Sequence, residues 1–159
     1  MKQLLWLVFC AFSLFTICAS CDKDSTVPGV ENNSSNNSNP TGSKMKIKIG
    51  NKTFTATLYD NATTNVFKSM LPMTVNMVEL NGNEKYVDLS RDIPTNASNP
   101  GTIQAGDLML YGSNTLVLFY KAFSTSYSYT RLGRIADVTG LADAVGSGNV
   151  TVTFVLENK

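Results

Sequence analysis

Hydrophobic and polar residues alternate along much of the chain after residue 44, which is the pattern of β-strands with one buried and one exposed face. In residues 45–49 the apolar positions alternate with lysines, and in residues 53–58 they alternate with threonines. Gly50 and Asn51 between these runs predict a tight turn. The first two strands are therefore expected to form a hairpin with lysine and threonine side chains on its wet face.

Similar runs predict six more strands farther along the chain. Leu116 to Phe119 is apolar without interruption, so both faces of that strand are expected to be covered. Residues 90–106 are rich in Pro, Asn, Ser and Gly and predict a long loop, a kind of segment that often carries function. The six strands span residues 74–80, 84–89, 107–111, 115–120, 130–135 and 150–156.

Two short helices are predicted between the strands. The first is capped by Asp60 or Asn61 and runs to about Leu71, just before a proline. The second begins at Asp137 or Thr139 and is closed by a Gly-Ser-Gly segment. Eight short strands favour a closed barrel, because closure removes exposed sheet edges. The predicted fold class is all-β with two short helices.

The first twenty residues have the pattern of an export signal. Lys2 precedes an apolar run over residues 4–17, which is shorter than the roughly 20 residues that a membrane-spanning helix needs. Ala19, Ser20 and Cys21 follow and resemble a bacterial lipobox, in which the cysteine is lipidated and the peptide before it is removed. The alternatives are a conventional cleavable signal with an incidental cysteine and an uncleaved anchor.

This pattern divides the chain into three predicted segments: a lipoprotein signal peptide over residues 1–20, a lipidated cysteine with an Asn/Ser-rich tether over 21–44, and a folded domain over 45–159. The tether is almost free of apolar residues and is expected to be disordered. The charged residues after Cys21 resemble sorting signals of some Gram-negative lipoproteins. We therefore expect lipid anchoring in the cell envelope of a Gram-negative bacterium, at the outer membrane, on its periplasmic or its surface face. Cys18 departs from the lipobox pattern, which usually has Leu, Ile or Val there.

Composition restricts the possible chemistry. The chain has 13 Lys plus Arg, 12 Asp plus Glu and no His, so its net charge is +1. Without His there is no Ser-His-Asp triad and no His-ligated metal, and the balanced charge gives no basis for nucleic acid binding. Cys10 and Cys18 lie in the predicted signal, and Cys21 is the predicted anchor. A monomeric domain with no cofactor, no metal and no disulfide is expected.

Several segments resemble the small bacterial cyclophilin-like domains. They are residues 45–49, 106–111, 116–120 and 131–135, and the resemblance extends over residues 45–157. It implies an eight-stranded antiparallel barrel capped by two helices, and no established reaction. The Phe-His-Arg signature of the prolyl isomerases is missing, because the chain has no His.

Aromatic residues supply the main candidates for a ligand site. Tyr127 and Tyr129 lie in a Ser/Thr-rich stretch where nothing obvious buries them, and Tyr111 and Phe119 extend the aromatic set. Aromatic rings with a polar tip suit the binding of sugars, peptides or proteins. Arg131 is added as the nearest cation. The alternative is that the rings cap the barrel core and that Arg131 pairs with a surface carboxylate.

The predicted position of this site is where the long loop meets the strand over residues 130–135. A spacing of three places Arg131 and Arg134 on opposite faces of a regular strand, so at most one of them can face a cleft.

Acidic residues supply weaker candidates. Glu79, Glu84 and Asp88 flank a predicted turn and could form a catalytic carboxylate pair, although carboxylates beside turns are usually solvated. Asp107 is expected to be a buried polar group that ties a strand end to a loop. No residue is assigned a catalytic role. The predicted function is a binding module for a small molecule or peptide, and the alternative is a peptidyl-prolyl cis-trans isomerase.

Overall fold

This computed structural model describes residues 39–157 of the chain, which form ten strands and two helices. The predicted signal peptide, Cys21 and most of the predicted tether lie outside the described residues. Among the described residues, no helix is both long enough and apolar enough to cross a membrane. The elements are β1 (Lys44–Ile49), β2 (Lys52–Leu58), α1 (Ala62–Lys68), β3 (Met73–Leu80), β4 (Glu84–Asp88), β5 (Thr102–Ile103), β6 (Asp107–Tyr111), β7 (Thr115–Phe119), β8 (Phe123–Ser124), β9 (Thr130–Ile135), α2 (Leu141–Val145) and β10 (Val150–Leu156).

Eight of these strands close into an antiparallel barrel in the order β1-β10-β3-β4-β7-β6-β9-β2. The predicted hairpin is present, and Ile47 of β1 faces Phe54 of β2 in its register. The alternation of the sequence directs one side of each strand inward, because successive side chains of a strand point to opposite faces. The closed barrel and its eight predicted strands are therefore confirmed.

The barrel interior holds the main hydrophobic core. Completely buried side chains from opposite strands meet there, among them Ile47, Leu116 and Phe154. α1 adds Phe67, whose ring contacts that of Phe154 edge to face at a centroid distance of 6.2 Å. Asn61 is the cap of α1, since its side-chain oxygen accepts a hydrogen bond from the Thr64 N–H at 2.8 Å.

A second, smaller apolar cluster lies on the outside of the barrel. β7 alternates between the two clusters, with Leu116 and Leu118 in the core and Val117 and Phe119 in the outer cluster. The expectation that both faces of this strand are covered is thus confirmed. The outer cluster is completed by residues from β5, β6 and the chain before β9, namely Ile103, Met109 and Tyr129.

The structure differs from the predicted elements in three places. α2 begins at Leu141 with Gly140 as its N-cap, rather than at Asp137 or Thr139. α1 ends at Lys68 rather than near Leu71, because the next three residues tighten into a turn with N–H groups bonded three residues back. The loop over residues 90–106 contains the short strand β5, which pairs with β8 in a separate two-stranded sheet. A strand of two residues is too short to show an alternating pattern in the sequence. β5 and β8 are strands only because they pair with each other.

Candidate functional site

A cavity of about 460 Å³ opens on the outer face of the barrel, where β4, β7 and β6 run side by side. Strand alternation determines which residues reach it. In β4 the outward residues are Glu84, Tyr86 and Asp88, whereas Lys85 points into the barrel. The lining residues are Leu80, Asn81, Glu84, Tyr86, Asp88, Tyr111, Thr115, Val117, Phe123, Tyr127 and Tyr129.

Aromatic rings form one wall of the cavity. The Tyr111 ring packs against Tyr127 at a centroid distance of 6.1 Å and against Tyr129 at 5.6 Å. Tyr129 is buried, but Tyr111 and Tyr127 remain 45% and 61% exposed. Exposed aromatic rings held side by side are typical of a surface that binds a ligand.

The wall is supported from behind by Phe119. This ring is completely buried and packs against Tyr129 at 5.5 Å and against Phe123 at 5.7 Å. Phe119 therefore positions two lining rings and does not itself line the cavity.

The long loop fixes the segment that carries the tyrosines. Ser98 and Tyr129 exchange two backbone hydrogen bonds of 3.0 Å each, and the Thr125 N–H donates to the Gly101 carbonyl at 2.9 Å. The β5–β8 pairing adds a third connection. The loop meets the start of β9 at the edge of the cavity, close to the predicted position, yet it supplies none of the lining side chains.

The cavity wall also contains two carboxylates. Glu84 is only 8% exposed, and burial, followed by the negative charge of Glu79, raises its pKa. Asp88 accepts a hydrogen bond from the Thr115 hydroxyl at 2.7 Å. Burial, reinforced by the charge of Glu84, also raises the pKa of Tyr129, so this phenol stays protonated at neutral pH.

The proposed carboxylate pair across the turn is wrong for Glu79. That side chain points into the end of the barrel, where it binds the Lys85 ammonium and accepts a hydrogen bond from the Tyr120 hydroxyl at 3.0 Å. Odd-numbered and even-numbered residues of the hairpin face opposite sides of the sheet, because Glu79 pairs with Lys85 and Leu80 pairs with Glu84. Only Glu84 and Asp88 share the outer face.

The barrel end is closed by a buried lysine. Lys85 is completely buried, and its ammonium donates to the carbonyls of Gly146 and Gly148 at 2.8 and 2.6 Å as well as to Glu79. Burial alone would raise the pKa of Glu79, but hydrogen bonds from Lys85, Tyr120 and a backbone N–H outweigh burial and lower it. Burial and the Glu79 charge raise the pKa of Tyr120 to about 12. Three acceptors surround the ammonium, one for each of its N–H groups, so this network has a structural role.

The structure brings together three of the five predicted ligand-binding residues. Tyr111, Tyr127 and Tyr129 line the cavity, and Phe119 lies behind it. Arg131 does not line the cavity; its backbone carbonyl accepts a hydrogen bond from the Asn61 side chain at 3.0 Å.

The expected opposite orientation of Arg131 and Arg134 is wrong. Arg131 pairs with Met109 and Arg134 pairs with Asp107, two residues on the same face of β6. A register shift between Leu108 and Met109 inserts one extra residue into β9. Such a bulge changes the alternation, so a spacing of three returns to the same face.

Asp107 has the structural role expected for it. Its carboxylate is 1% exposed, accepts the Gln104 N–H at 2.8 Å and pairs with the Arg134 guanidinium at 2.6 Å. This hydrogen bond, partly offset by burial, raises the pKa of Arg134.

The five ligand-binding residues predicted from the sequence leave out four charged or aromatic lining side chains, of which Glu84 and Asp88 are considered only as members of a carboxylate pair. Glu84, Tyr86 and Asp88 were visible as alternate residues of one strand, and this spacing places them on one face. Phe123 had no such signal, since the pairing of β8 with β5 sets its position. Within residues 39–157, no three Asp, Glu, Cys or His side chains are close enough to hold a metal ion.

Comparison with known proteins identifies the fold. A model described as the Cyclophilin-like family matches residues 47–155. The solution structure of the hypothetical protein AF2241 from Archaeoglobus fulgidus is similar, with a TM-score of 0.51 and 15% sequence identity, over 76% of this chain and 99% of that chain. At this identity the similarity shows a shared fold only. No curated protein matches the chain significantly.

Proposed function

Because this chain belongs to the cyclophilin-like family, and fold alone does not determine activity, we propose from its own cavity that the barrel is a binding module for a small molecule or peptide. The observation that carries the proposal is the pair of exposed rings, Tyr111 and Tyr127, beside two carboxylates in a cavity of about 460 Å³. Apolar walls with a few convergent polar groups are typical of small-molecule sites, which span roughly 300–1,000 Å³.

The cavity favours binding over prolyl isomerisation. Cyclophilin isomerases use an arginine beside an apolar proline pocket. In the described part of the chain, none of the three arginines lines this cavity: Arg91 donates to Ser69, Arg134 pairs with Asp107, and Arg131 lies outside the lining set. Binding therefore remains the function with a specific observation behind it.

Removal of the Tyr127 ring should weaken ligand binding while leaving the fold intact. The ring is mostly exposed, so Tyr127→Ala changes little in the packed interior, but it removes one ring from the aromatic wall of the cavity. The measurement is an NMR screen of the full chain in a nonionic detergent against a set of small metabolites and short peptides. We expect hits that shift the amides of Tyr111 and Tyr129, and a loss of affinity of about two- to tenfold in Tyr127→Ala, since one aromatic contact contributes about 0.5–1.5 kcal/mol.

Val155→Ala is the matched control, because it truncates a half-buried residue of β10 outside the cavity. It should leave the affinity unchanged. Hits whose shifts cluster away from the cavity, with affinities that Tyr127→Ala does not alter, would contradict the proposal.

We further propose that the barrel is held at the membrane by a lipid on Cys21. The support is the sequence alone, in which small residues precede Cys21 after a short apolar run. An attached diacylglyceryl group and a further acyl chain give stable membrane residence, whereas one chain alone gives only marginal binding.

The Cys21→Ala variant should move most of the protein from the membrane fraction to the soluble fraction of a Gram-negative host. Cys10→Ala is the control, since it changes a cysteine inside the apolar run and should leave the distribution unchanged. Fractionation with immunoblotting and labelling with a radioactive fatty acid measure both effects. Retention of Cys21→Ala in the membrane fraction would refute lipid anchoring.

A further inference from the structure

The cavity wall carries negative charge and no positive charge. Two of its eleven lining residues are carboxylates, Glu84 and Asp88, and none is Lys or Arg. Lys85, which lies between the lining residues Glu84 and Tyr86 in β4, and Lys121 are engaged elsewhere. Lys85 is held inside the barrel by Glu79, and the Lys121 ammonium lies over the Tyr120 ring at 5.7 Å. The cavity is therefore a negatively charged site.

Glu84 is a largely buried carboxylate that lines the cavity, and its oxygens are open to the cavity and have no protein partner in the described part of the chain. It is 92% buried, and within residues 39–157 no hydrogen bond or ion pair reaches its carboxylate oxygens. Buried carboxylates are normally paired or hydrogen-bonded, because removing their charge from water is unfavourable. A ligand that brings a positive charge and N–H donors would give the Glu84 carboxylate the partners that it lacks.

The remaining walls suit the same kind of ligand. Four tyrosines and Phe123 line the cavity. Aromatic faces attract cations within about 6 Å, and the attraction is stronger where water is excluded. The rings and the carboxylates thus favour the same chemical group, and the rings also supply apolar surface for a carbon chain.

We propose that the cavity binds an organic cation, with a protonated alkylammonium group between Glu84 and the tyrosine rings and its carbon chain against Val117 and Phe123. The inference rests on the proposed binding function and specifies the ligand class. The ammonium can come from a free amine or from a lysine side chain of a peptide, because both present the same charged end.

Three probes test the charge requirement by protein-observed NMR titration of the full chain in a nonionic detergent at pH 7. Butylamine presents the ammonium alone, Nα-acetyl-lysine methylamide presents it on a peptide unit, and the Nε-acetylated form of the second probe is its neutral counterpart. We expect saturable shifts at Tyr86, Tyr111 and Tyr129 with both cations, and an affinity for the neutral probe lower by about tenfold or more. Tighter binding of the lysine derivative than of butylamine would identify a peptide as the source, and equal binding would identify a free amine.

The Glu84→Gln variant should lower the affinity for both cations by about tenfold, because it removes the charge and keeps the shape of the side chain. Asp143→Asn is the matched control, since Asp143 is an exposed carboxylate of α2 outside the cavity. It removes the same charge from the molecule and should change the affinity less than twofold. Amide shifts that report an unchanged fold in both variants separate loss of binding from loss of structure.

Two outcomes would overturn the cation inference. Equal binding of the charged and neutral probes at the cavity would leave a binding site without charge selection, so the proposed function would survive and the inference would not. No shift with either cation in the millimolar range would also refute the inference, and the metabolite and peptide screen would then decide the fate of the binding function separately.

Discussion

Lys85→Ala should lower the free energy of unfolding by about 3–5 kcal/mol, as expected when one partner of a buried charge pair is removed. The substitution leaves Glu79 without its ammonium partner and the carbonyls of Gly146 and Gly148 without their donor. It also opens a space at the end of the barrel, because Lys85 is among the largest completely buried side chains. Urea denaturation at pH 7, followed by far-ultraviolet circular dichroism, measures the loss.

Lys121→Ala is the control for Lys85. Both ammonium groups lie near the Tyr120 ring, at 5.4 Å and 5.7 Å from its centroid, but Lys121 is exposed. Its removal should change stability by about 0.5 kcal/mol or less. A loss below about 1 kcal/mol for Lys85→Ala would show that the barrel end does not depend on this network.

The effect of Lys85→Ala should also depend on pH in a defined direction. The folded-state pKa of Glu79 lies below its ordinary value of 4.5, so the ion pair contributes its full stability above that value and loses it as the pH falls through the lower folded-state pKa. The difference between wild type and Lys85→Ala should therefore be constant near neutral pH and shrink at strongly acidic pH. Glu84 acts in the opposite direction in both proteins, since its raised pKa destabilises the fold above that pKa and the penalty disappears as the pH falls.

Gly106→Ala should be the most damaging of the glycine-to-alanine changes at positive φ, with a loss of about 3–4 kcal/mol. Gly106 has φ of +90°, and a Cβ placed there would lie 2.6 Å from the Ile135 carbonyl oxygen and 2.7 Å from a methyl carbon of Val138. The Gly106 carbonyl also accepts the Ile135 N–H at 2.9 Å, so the backbone cannot move away without breaking this bond. Backbone strain and steric overlap therefore add.

Gly112→Ala separates the backbone strain of a positive φ from the steric overlap that Gly106→Ala also causes. Gly112 has φ of +59°, but nothing lies within 4 Å of a Cβ built on it. Its loss should be about 1 kcal/mol, the ordinary penalty of a left-handed alanine. Equal losses for the two variants, measured by urea denaturation, would show that the contact with Ile135 and Val138 does not limit this position.

The local pattern was enough to predict the barrel. Alternation in residues 45–49, 53–58 and 150–156 reappears as β1, β2 and β10, and the uninterrupted apolar run of Leu116 to Phe119 is covered on both faces in the structure. Periodicity predicts such elements well because burial of one face is a local requirement that each strand meets in the same way. The helix cap was narrowed to Asp60 or Asn61 for the same reason, since a cap depends on neighbours within one turn, and the structure shows that it is Asn61.

The candidate site was predicted only in part. Tyr111, Tyr127 and Tyr129 were identified because polar aromatic residues in a Ser/Thr-rich stretch are unusual, and they do line the cavity. Arg131 is not among the lining residues, although the bulge in β9 places it on the same face of the sheet as Tyr111. One extra residue changes which side chains share a face, and nothing in the order of residues 130–135 marks the position of that residue.

By itself, the sequence determined the eight barrel strands, the order in which they follow one another along the chain, and the aromatic character of the candidate site. The tertiary structure alone decided that Glu79 and Glu84, five residues apart, lie on opposite sides of the barrel wall, the first bound to Lys85 and the second without a partner beside four tyrosines. It also decided that Phe123 joins these tyrosines through the β5–β8 pairing. The alternation along a strand shows only that two side chains lie on opposite faces of the sheet. Which face becomes the interior, and which distant residues meet on the other, depends on barrel closure, because closure brings together strands that are far apart in sequence.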